Sequence, residues 1–203
     1  MSFRSSLRDR DAVFAELATL EPDLPVAVAL TDLDGFGPLN DRCGESAGDG
    51  VLAALERQLS EKLPPQALIA HMKGDEFLVA LPDASCEEAL LILEAVRASF
   101  SGDRVPGADA SLGLSIGIAG RPAHGSTPAE LAEAADAALV RAKQAGGNRV
   151  AIHVEERMIL KSSYYSRPSL HRLAKLARRT GRSEASLLRE ALEDYLARHA
   201  ELV

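Results

Sequence analysis

The sequence predicts an α/β domain, buried strands with flanking helices, followed by a small separate strand–helix–helix module. Three observations lead there. Short apolar runs of strand length alternate with longer segments of helical period up to about residue 154. The texture changes near residue 157, where a short extended piece precedes two closely spaced helical segments. Charge divides at the same place: residues 156–203 hold ten Lys/Arg against six Asp/Glu, a net +4, within a chain of net charge -7. An acidic body with a basic tail points the tail toward a polyanion. The boundary is expected between domains 1–155 and 156–203.

The elements follow in order. Residues 7–20 set Leu7, Val13, Phe14, Leu17 and Leu20 near one helical face, and Glu21-Pro22-Asp23 stops that helix. Residues 25–33 form a nearly continuous apolar run, read as a buried strand that ends in Asp32 and Asp34. Gly35-Phe36-Gly37-Pro38 reads as a turn. Residues 47–62 return to helical period until Pro64-Pro65. The runs 67–71 and 76–81 flank Met72-Lys73-Gly74-Asp75, a hairpin by spacing with Gly74 at positive φ. A helix at 85–100, a loop at 101–110 and a strand at 112–119 come next. An Ala-rich helix at 127–145 is capped by Thr127 before Pro128 and ended by Gly146-Gly147-Asn148. A last strand is expected at 149–154. In the tail, helices at 168–179 and 183–199 are joined by Thr180-Gly181-Arg182. Ser183 is the N-cap of the second, which carries Leu187, Leu188, Ala191, Leu192 and Tyr195 on its apolar face.

Composition bounds the function. With 203 residues, 46% hydrophobic, the chain suffices for one ordinary domain and a small appendage. Aromatics are 4% and Trp is absent, so the core is aliphatic. Cys43 and Cys86 lack any CxxC or Cys/His metal spacing and read as free thiols. No apolar run reaches transmembrane length and no apolar stretch follows the charged N-terminus, so a cytoplasmic protein without a membrane partner is expected. His124 and His153 are isolated in the sequence.

Three carboxylates, Asp32, Asp75 and Glu76, stand at strand ends or in a tight turn. If strand 25–33 pairs with the hairpin, Asp32 and Asp75 share one end of the sheet. Facing carboxylates repel unless a cation lies between them. Hard oxygen ligands suit Mg²⁺, which completes its shell with water and phosphate oxygens. A metal on substrate phosphates activates an attacking hydroxyl and neutralises the leaving group. Against this stands the plainer role of Asp as a turn residue.

Six segments extend the argument. SLRDRDAVFAEL opens the domain. TDLDGFGPLND resembles DxDxFKxIND, and ESAGDGVL resembles GHxxGDxxL. MKGDEF matches the signature hairpin and LSIGIA the fourth strand. ADAALVRAKQAGGN resembles ADxALYxAKxxGRN. In this order, over about 5–152, they resemble the GGDEF family of diguanylate cyclases. The resemblance implies a palm-like α+β fold with a mixed sheet, and condensation of two GTP into cyclic di-GMP with release of pyrophosphate. It implies Mg²⁺ or Mn²⁺ held by Asp32, the Leu33 carbonyl, Asp75 and Glu76, with Asp75 and Glu76 catalytic. Asn40 and Asp49 would read guanine. Lys143, the backbone of Phe36 and Gly37, and the hairpin tip at Lys73 and Gly74 would meet the nucleotide. This chain departs from the pattern at Lys73, at His71-Met72, at Gly37-Pro38, at Glu45 and at Gly147. Lys73 is expected to replace lost cations electrostatically. Pro64-Pro65-Gln66-Ala67 stands where the family has its RxxD product-inhibition site, which is expected to be absent.

The tail resembles the ribbon-helix-helix family over roughly 157–199. That implies an intertwined homodimer in which paired strands enter the DNA major groove and the second helix's N-terminus holds a phosphate. Arg157 and Lys161 are candidate DNA contacts, with the amides near Ser183 as a phosphate clamp. A module serving dimerisation alone fits equally. Either would hold two cyclase domains at high effective concentration. Three functions stay open: a diguanylate cyclase dimerised by its tail, with DNA tethering open; a degenerate cyclase domain sensing GTP or cyclic di-GMP within a DNA-binding regulator; or an active cyclase whose DNA-bound and free forms differ in activity.

Overall fold

The computed structural model describes residues 7–100, 112–154, 164–180 and 182–199. The chain divides into two compact units, Met1–Glu156 and Arg157–Val203. The first runs β1 (Leu7–Arg8), α1 (Arg10–Ala18), β2 (Val26–Asp34), α2 (Phe36–Cys43), α3 (Glu45–Lys62), β3 (Leu68–His71), β4 (Phe77–Pro82), α4 (Cys86–Ser99), β5 (Gly113–Arg121), α5 (Pro128–Gln144) and β6 (Val150–Ile152). The second contributes α6 (Arg167–Thr180) and α7 (Glu184–Arg198).

The strands form one mixed sheet in the order β1-β3-β4-β2-β5-β6. β2 lies inside it, antiparallel to both β4 and β5, while β1–β3 and β5–β6 are parallel pairs. Both faces of β2 are covered. Ala27, Ala29 and Leu33 join Leu39, Leu55, Leu59 and Leu93 of the helices α2, α3 and α4. Val26 and Val28 join Val13 and Leu17 of α1 and Leu131 of α5. A strand buried on both faces reads as a continuous apolar run, which is why 25–33 shows no alternation. On β5, a Cβ at Gly117 would lie 2.1 Å from the Ala135 carbonyl oxygen and 2.2 Å from the Leu139 nitrogen. Helix α5 therefore rests directly on the strand backbone.

Local signals account for most boundaries. Thr127 accepts from the Glu130 N–H while Glu130 reaches back to the Thr127 N–H, a capping box with Pro128 in the first turn of α5. Ser85 and Glu88 do the same for α4. Two expectations are corrected. The helix placed at 7–20 begins only at Arg10, because Leu7 and Arg8 pair with Ile69 and Ala70 and Asp9 caps the helix through the Ala12 N–H. The turn placed at 35–38 is one left-handed residue, Gly35 (φ 85°), followed at once by α2. Pro38 is tolerated in that helix because first-turn N–H groups have no intrahelical acceptor.

In the second unit Ala177 of α6 and Leu187 of α7 are buried. Leu170, Leu176, Leu192, Tyr195 and Leu196 stay exposed. Of the extended piece expected at 157–166, residues 157–163, with Arg157 and Lys161, lie outside the described residues, and 164–166 belong to no strand. Cys43 and Cys86 are free. No described helix is long and apolar enough to cross a membrane.

Candidate active site

The register of the sheet assembles the site. Thr31 pairs with Phe77 on β4, and Asp32 pairs with Ser115 on β5. Asp32 thus stands one residue beyond the last β2–β4 pair, beside the turn that precedes Phe77. That turn is closed by the Met72 N–H donating to the Glu76 carbonyl at 2.9 Å, with Gly74 at φ 71°. His71 stacks on Phe77 at 4.7 Å between centroids, and its Nε2 lies 2.8 Å from the Gly74 carbonyl oxygen. Asp75 and Glu76 are thereby brought to the same end of the sheet as Asp32.

Asp32 is only 8% exposed, and its Oδ2 lies 2.6 Å from Nζ of Lys143 in the last turn of α5. Burial first, then the neighbouring Asp32 carboxylate, push the Asp75 carboxyl above its ordinary value. The backbone N–H groups of Asp75 and Leu33 and the Lys143 ammonium oppose that rise. Glu76 is raised by the same leading causes, burial and then Asp32, again opposed by Lys143. Three carboxylates therefore share one ammonium, the arrangement in which like charges most need a further cation.

Among the described residues no three His, Cys, Asp or Glu side chains converge as a closed metal cage. Mg²⁺ does not need one. It commonly takes one or two carboxylates and completes its octahedron with water and phosphate oxygens. Carboxylates such as Asp32 and Asp75 at one end of the sheet are the oxygen chemistry that an ion of this kind takes when it arrives with a phosphate ligand.

Helices α2 and α3 carry the next group. Asn40 packs against Gly48, where a Cβ would meet the Asn40 Oδ1 at 2.0 Å. That oxygen is buried and has no hydrogen-bond partner among the described residues. Asp49 follows Gly48 and is exposed. Phe36 and Gly37 are the first two residues of α2, where the backbone amides lack intrahelical acceptors. α2 starts two residues after the end of β2, so those amides lie close to Asp32 along the chain. Lys73 is exposed at the hairpin tip and makes no ion pair among the described residues. The cation acting on Asp75 and Glu76 is Lys143. Ser183 directly precedes α7, with the Leu187 N–H on its carbonyl at 3.2 Å.

Two groupings escaped the sequence reading. Asp34 accepts from the Ser115 hydroxyl (2.8 Å to Oδ1, 2.9 Å to Oδ2) and from the Asn148 N–H at 2.6 Å. The only sequence signal was the two-residue spacing from Asp32, which puts both carboxylates on one face of β2. His124 and His153, apart in sequence, meet edge to face at 5.2 Å. His124 Nδ1 accepts the Gly120 N–H at 3.0 Å and lies 3.8 Å from Cys86 Sγ. Gly120 pairs with Ala27, so this cluster occupies the opposite end of the sheet from Asp32.

Comparison with known proteins gives the arrangement a lineage. Residues 8–149 match the family described as diguanylate cyclase, GGDEF domain, and residues 166–199 match the ribbon-helix-helix protein, copG family. Diguanylate cyclase TpbB of Pseudomonas aeruginosa is 40% identical over 139 residues, covering 66% of this chain and 32% of that protein. Response regulator PleD of Caulobacter vibrioides is 34% identical over 137 residues, covering 66% of this chain and 30% of that protein. The chain thus spans about a third of the length of these relatives. The solved GGDEF domain of TpbB superposes with a TM-score of 0.67 at 34% identity, covering 74% of this chain and 92% of that one. The chain belongs to the GGDEF family of diguanylate cyclase domains, joined here to a ribbon-helix-helix module.

Proposed function

We propose that the first unit condenses two GTP into cyclic di-GMP and that the tail holds two such units together. The observation that carries this reading is the cluster at the end of β2: buried Asp32 beside Lys143, with Asp75 and Glu76 sharing the same field. In the reaction the 3′-hydroxyl oxygen of one GTP forms a bond to the α-phosphorus of the other, and the bond to the β-phosphate breaks. Repetition in the opposite sense closes the ring and releases the second pyrophosphate.

Asp32, Asp75, Glu76 and the Leu33 carbonyl would hold Mg²⁺ or Mn²⁺. When bound, that ion supplies charge neutralisation on the phosphates and acidifies the attacking hydroxyl. The chain does the remainder. Lys143 meets phosphate charge from the α5 side, and the first amides of α2 offer unpaired N–H groups. Asp75, at the same end of the sheet as Asp32, would accept the hydroxyl proton. Asn40 and Asp49 face a base edge: guanine presents N–H donors to a carboxylate and an amide oxygen, and the buried Asn40 Oδ1 is a group still in want of a donor. Each chain supplies one half-site, so a homodimer is required for turnover.

A DNA-binding role for the tail rests on α6. Between Arg167 and Thr180 it carries five Lys/Arg and no carboxylate, and His171, Lys175, Arg178 and Arg179 line one groove. Positive charge gathered on one helix of an acidic protein suits a phosphodiester backbone.

The test is product formation from GTP and Mg²⁺, beside Asp75→Ala. Cyclic di-GMP from the unsubstituted protein alone supports the enzyme and the role of Asp75. Retained GTP binding without product would turn the reading to a nucleotide-sensing regulator. Localisation in a reducing cytosol accords with the two free thiols.

A further inference from the structure

By residue type, Asp34 is as good a metal ligand as Asp32: both are carboxylates on the same face at the end of β2. Its surroundings give it different work. The Ser115 hydroxyl donates to it and the Asn148 N–H donates to Oδ2 at 2.6 Å. The same N–H lies 3.1 Å from Ser115 Oγ, so strand β5 joins the clamp. Two glycines make room for the carboxylate. A Cβ at Gly113 would lie 2.7 Å from Asp34 Oδ2, and one at Gly147 would lie 2.9 Å from it.

What Asp34 grips is the exit of α5. Gly146 donates to the Lys143 carbonyl at 3.0 Å and Gly147 to the Ala142 carbonyl at 3.1 Å, wrapping the turn onto the helix end. Asn148 follows in a left-handed conformation (φ 45°). On its other side the Arg97 Nη1 donates to the Asn148 carbonyl at 3.2 Å and to its Oδ1 at 3.1 Å. Strand β2 thus holds α5 twice: Asp32 takes the Lys143 side chain, and Asp34 takes the backbone five residues further on.

We propose that Asp34 is a positioning residue rather than a metal ligand. It fixes the α5–β6 turn so that Lys143 presents its ammonium to the substrate phosphates. The inference rests on the proposed GTP site. Gly147, at φ 70°, suits the left-handed turn that Asp34 grips.

The experiment compares Asp34→Ala, Asp34→Asn and Ser115→Ala in the full chain, with Asp32→Asn as the reference for a metal ligand. Asp34→Ala is expected to raise KM for GTP about tenfold with kcat changed less than about threefold, the signature of a misplaced binding group. Its Mn²⁺ affinity in the presence of GTP, read by electron paramagnetic resonance, is expected to stay at the wild-type value, while that of Asp32→Asn falls. Amide exchange at Gly147 and Asn148 should quicken in Asp34→Ala. It should return toward wild type in Asp34→Asn, whose amide oxygen still accepts the Asn148 N–H. A fall in Mn²⁺ affinity matching that of Asp32→Asn, or an unchanged KM with unchanged exchange, overturns the proposal. Should Asp34→Ala fail to fold, Ser115→Ala removes one partner only, and a smaller shift in the same direction is required. If the unsubstituted protein binds GTP but makes no product, the cyclase reading fails alone. Asp34 is then judged by GTP affinity and amide exchange.

Discussion

Lys143 sets its ammonium 2.6 Å from the Asp32 carboxylate across the junction of α5 and β2. The lysine is 42% exposed on its side chain and the aspartate 11%, so the pair joins a solvent-facing cation to a buried anion. Lys143→Met should weaken GTP binding about tenfold, the scale of one charge-assisted hydrogen bond. Isothermal titration with GTP and Mg²⁺ checks it. Equal affinity in the variant would remove Lys143 from the phosphate site.

Gly48→Ala should separate folding from recognition. Alanine in a helix interior gains about 1 kcal/mol over glycine, while a Cβ here displaces the Asn40 amide it would meet at 2.0 Å. The Cβ would also lie 3.1 Å from Phe36 Cζ, so the helix gain is offset by local crowding and the urea midpoint should change by less than recognition does. GTP affinity should fall and preference for GTP over ATP should narrow. A variant that keeps full discrimination would take Asn40 out of base reading.

Glu130 gives a pH signature. Its carboxylate accepts the Ser126 and Thr127 N–H groups at 2.8 and 3.1 Å, and those bonds, Ser126 first, hold its pKa below the ordinary value. A depressed carboxyl stabilises the fold above its unfolded pKa, and the contribution disappears as pH falls through the folded one. Glu130→Gln should therefore lower the urea midpoint at neutral pH and match wild type once both are below the Glu range. A difference that persists in acid would assign the effect to packing.

The α6 groove yields to salt. If Lys175, Arg178 and Arg179 meet DNA phosphates, replacing all three with Ala should reduce the slope of log affinity against log salt by about 3. Fluorescence anisotropy with duplex DNA measures this. An unchanged slope would leave DNA binding to other parts of the module.

The central strands and the hairpin were legible because each is a local pattern: an apolar run buried on both faces, and a four-residue turn with Gly74 where φ is 71°. Asp32 and Asp75 share one end of the sheet, as the pairing of strand 25–33 with the hairpin implied, because the hairpin fixes its own register. The strand β1 was not legible. Leu7 satisfies a helical face as well as a strand, and only its partner Ile69 decides. Helix α2 was hidden by Gly37 and Pro38, whose turn-like chemistry is harmless in a first helical turn. The Asp34–Asn148 contact spans 114 positions, and no spacing rule carries across such a distance. Lys73 is exposed at the hairpin tip, where the reach of a side chain is set by a turn and by no spacing in the sequence.

Gly117 leaves nothing between helix α5 and strand β5 but their own backbones. A layer of side chains can act as a lubricant; two main chains in contact act as a weld. Lys143 rides on α5, and Asp32 sits on β2, paired through Ser115 with the β5 strand that α5 rests on, so α5 has little freedom to slide along the sheet. If the unit works as the half-site proposed above, a signal reaching it meets a stiff body. Control by encounter, the frequency with which two finished halves meet, costs less distortion than control by bending one of them.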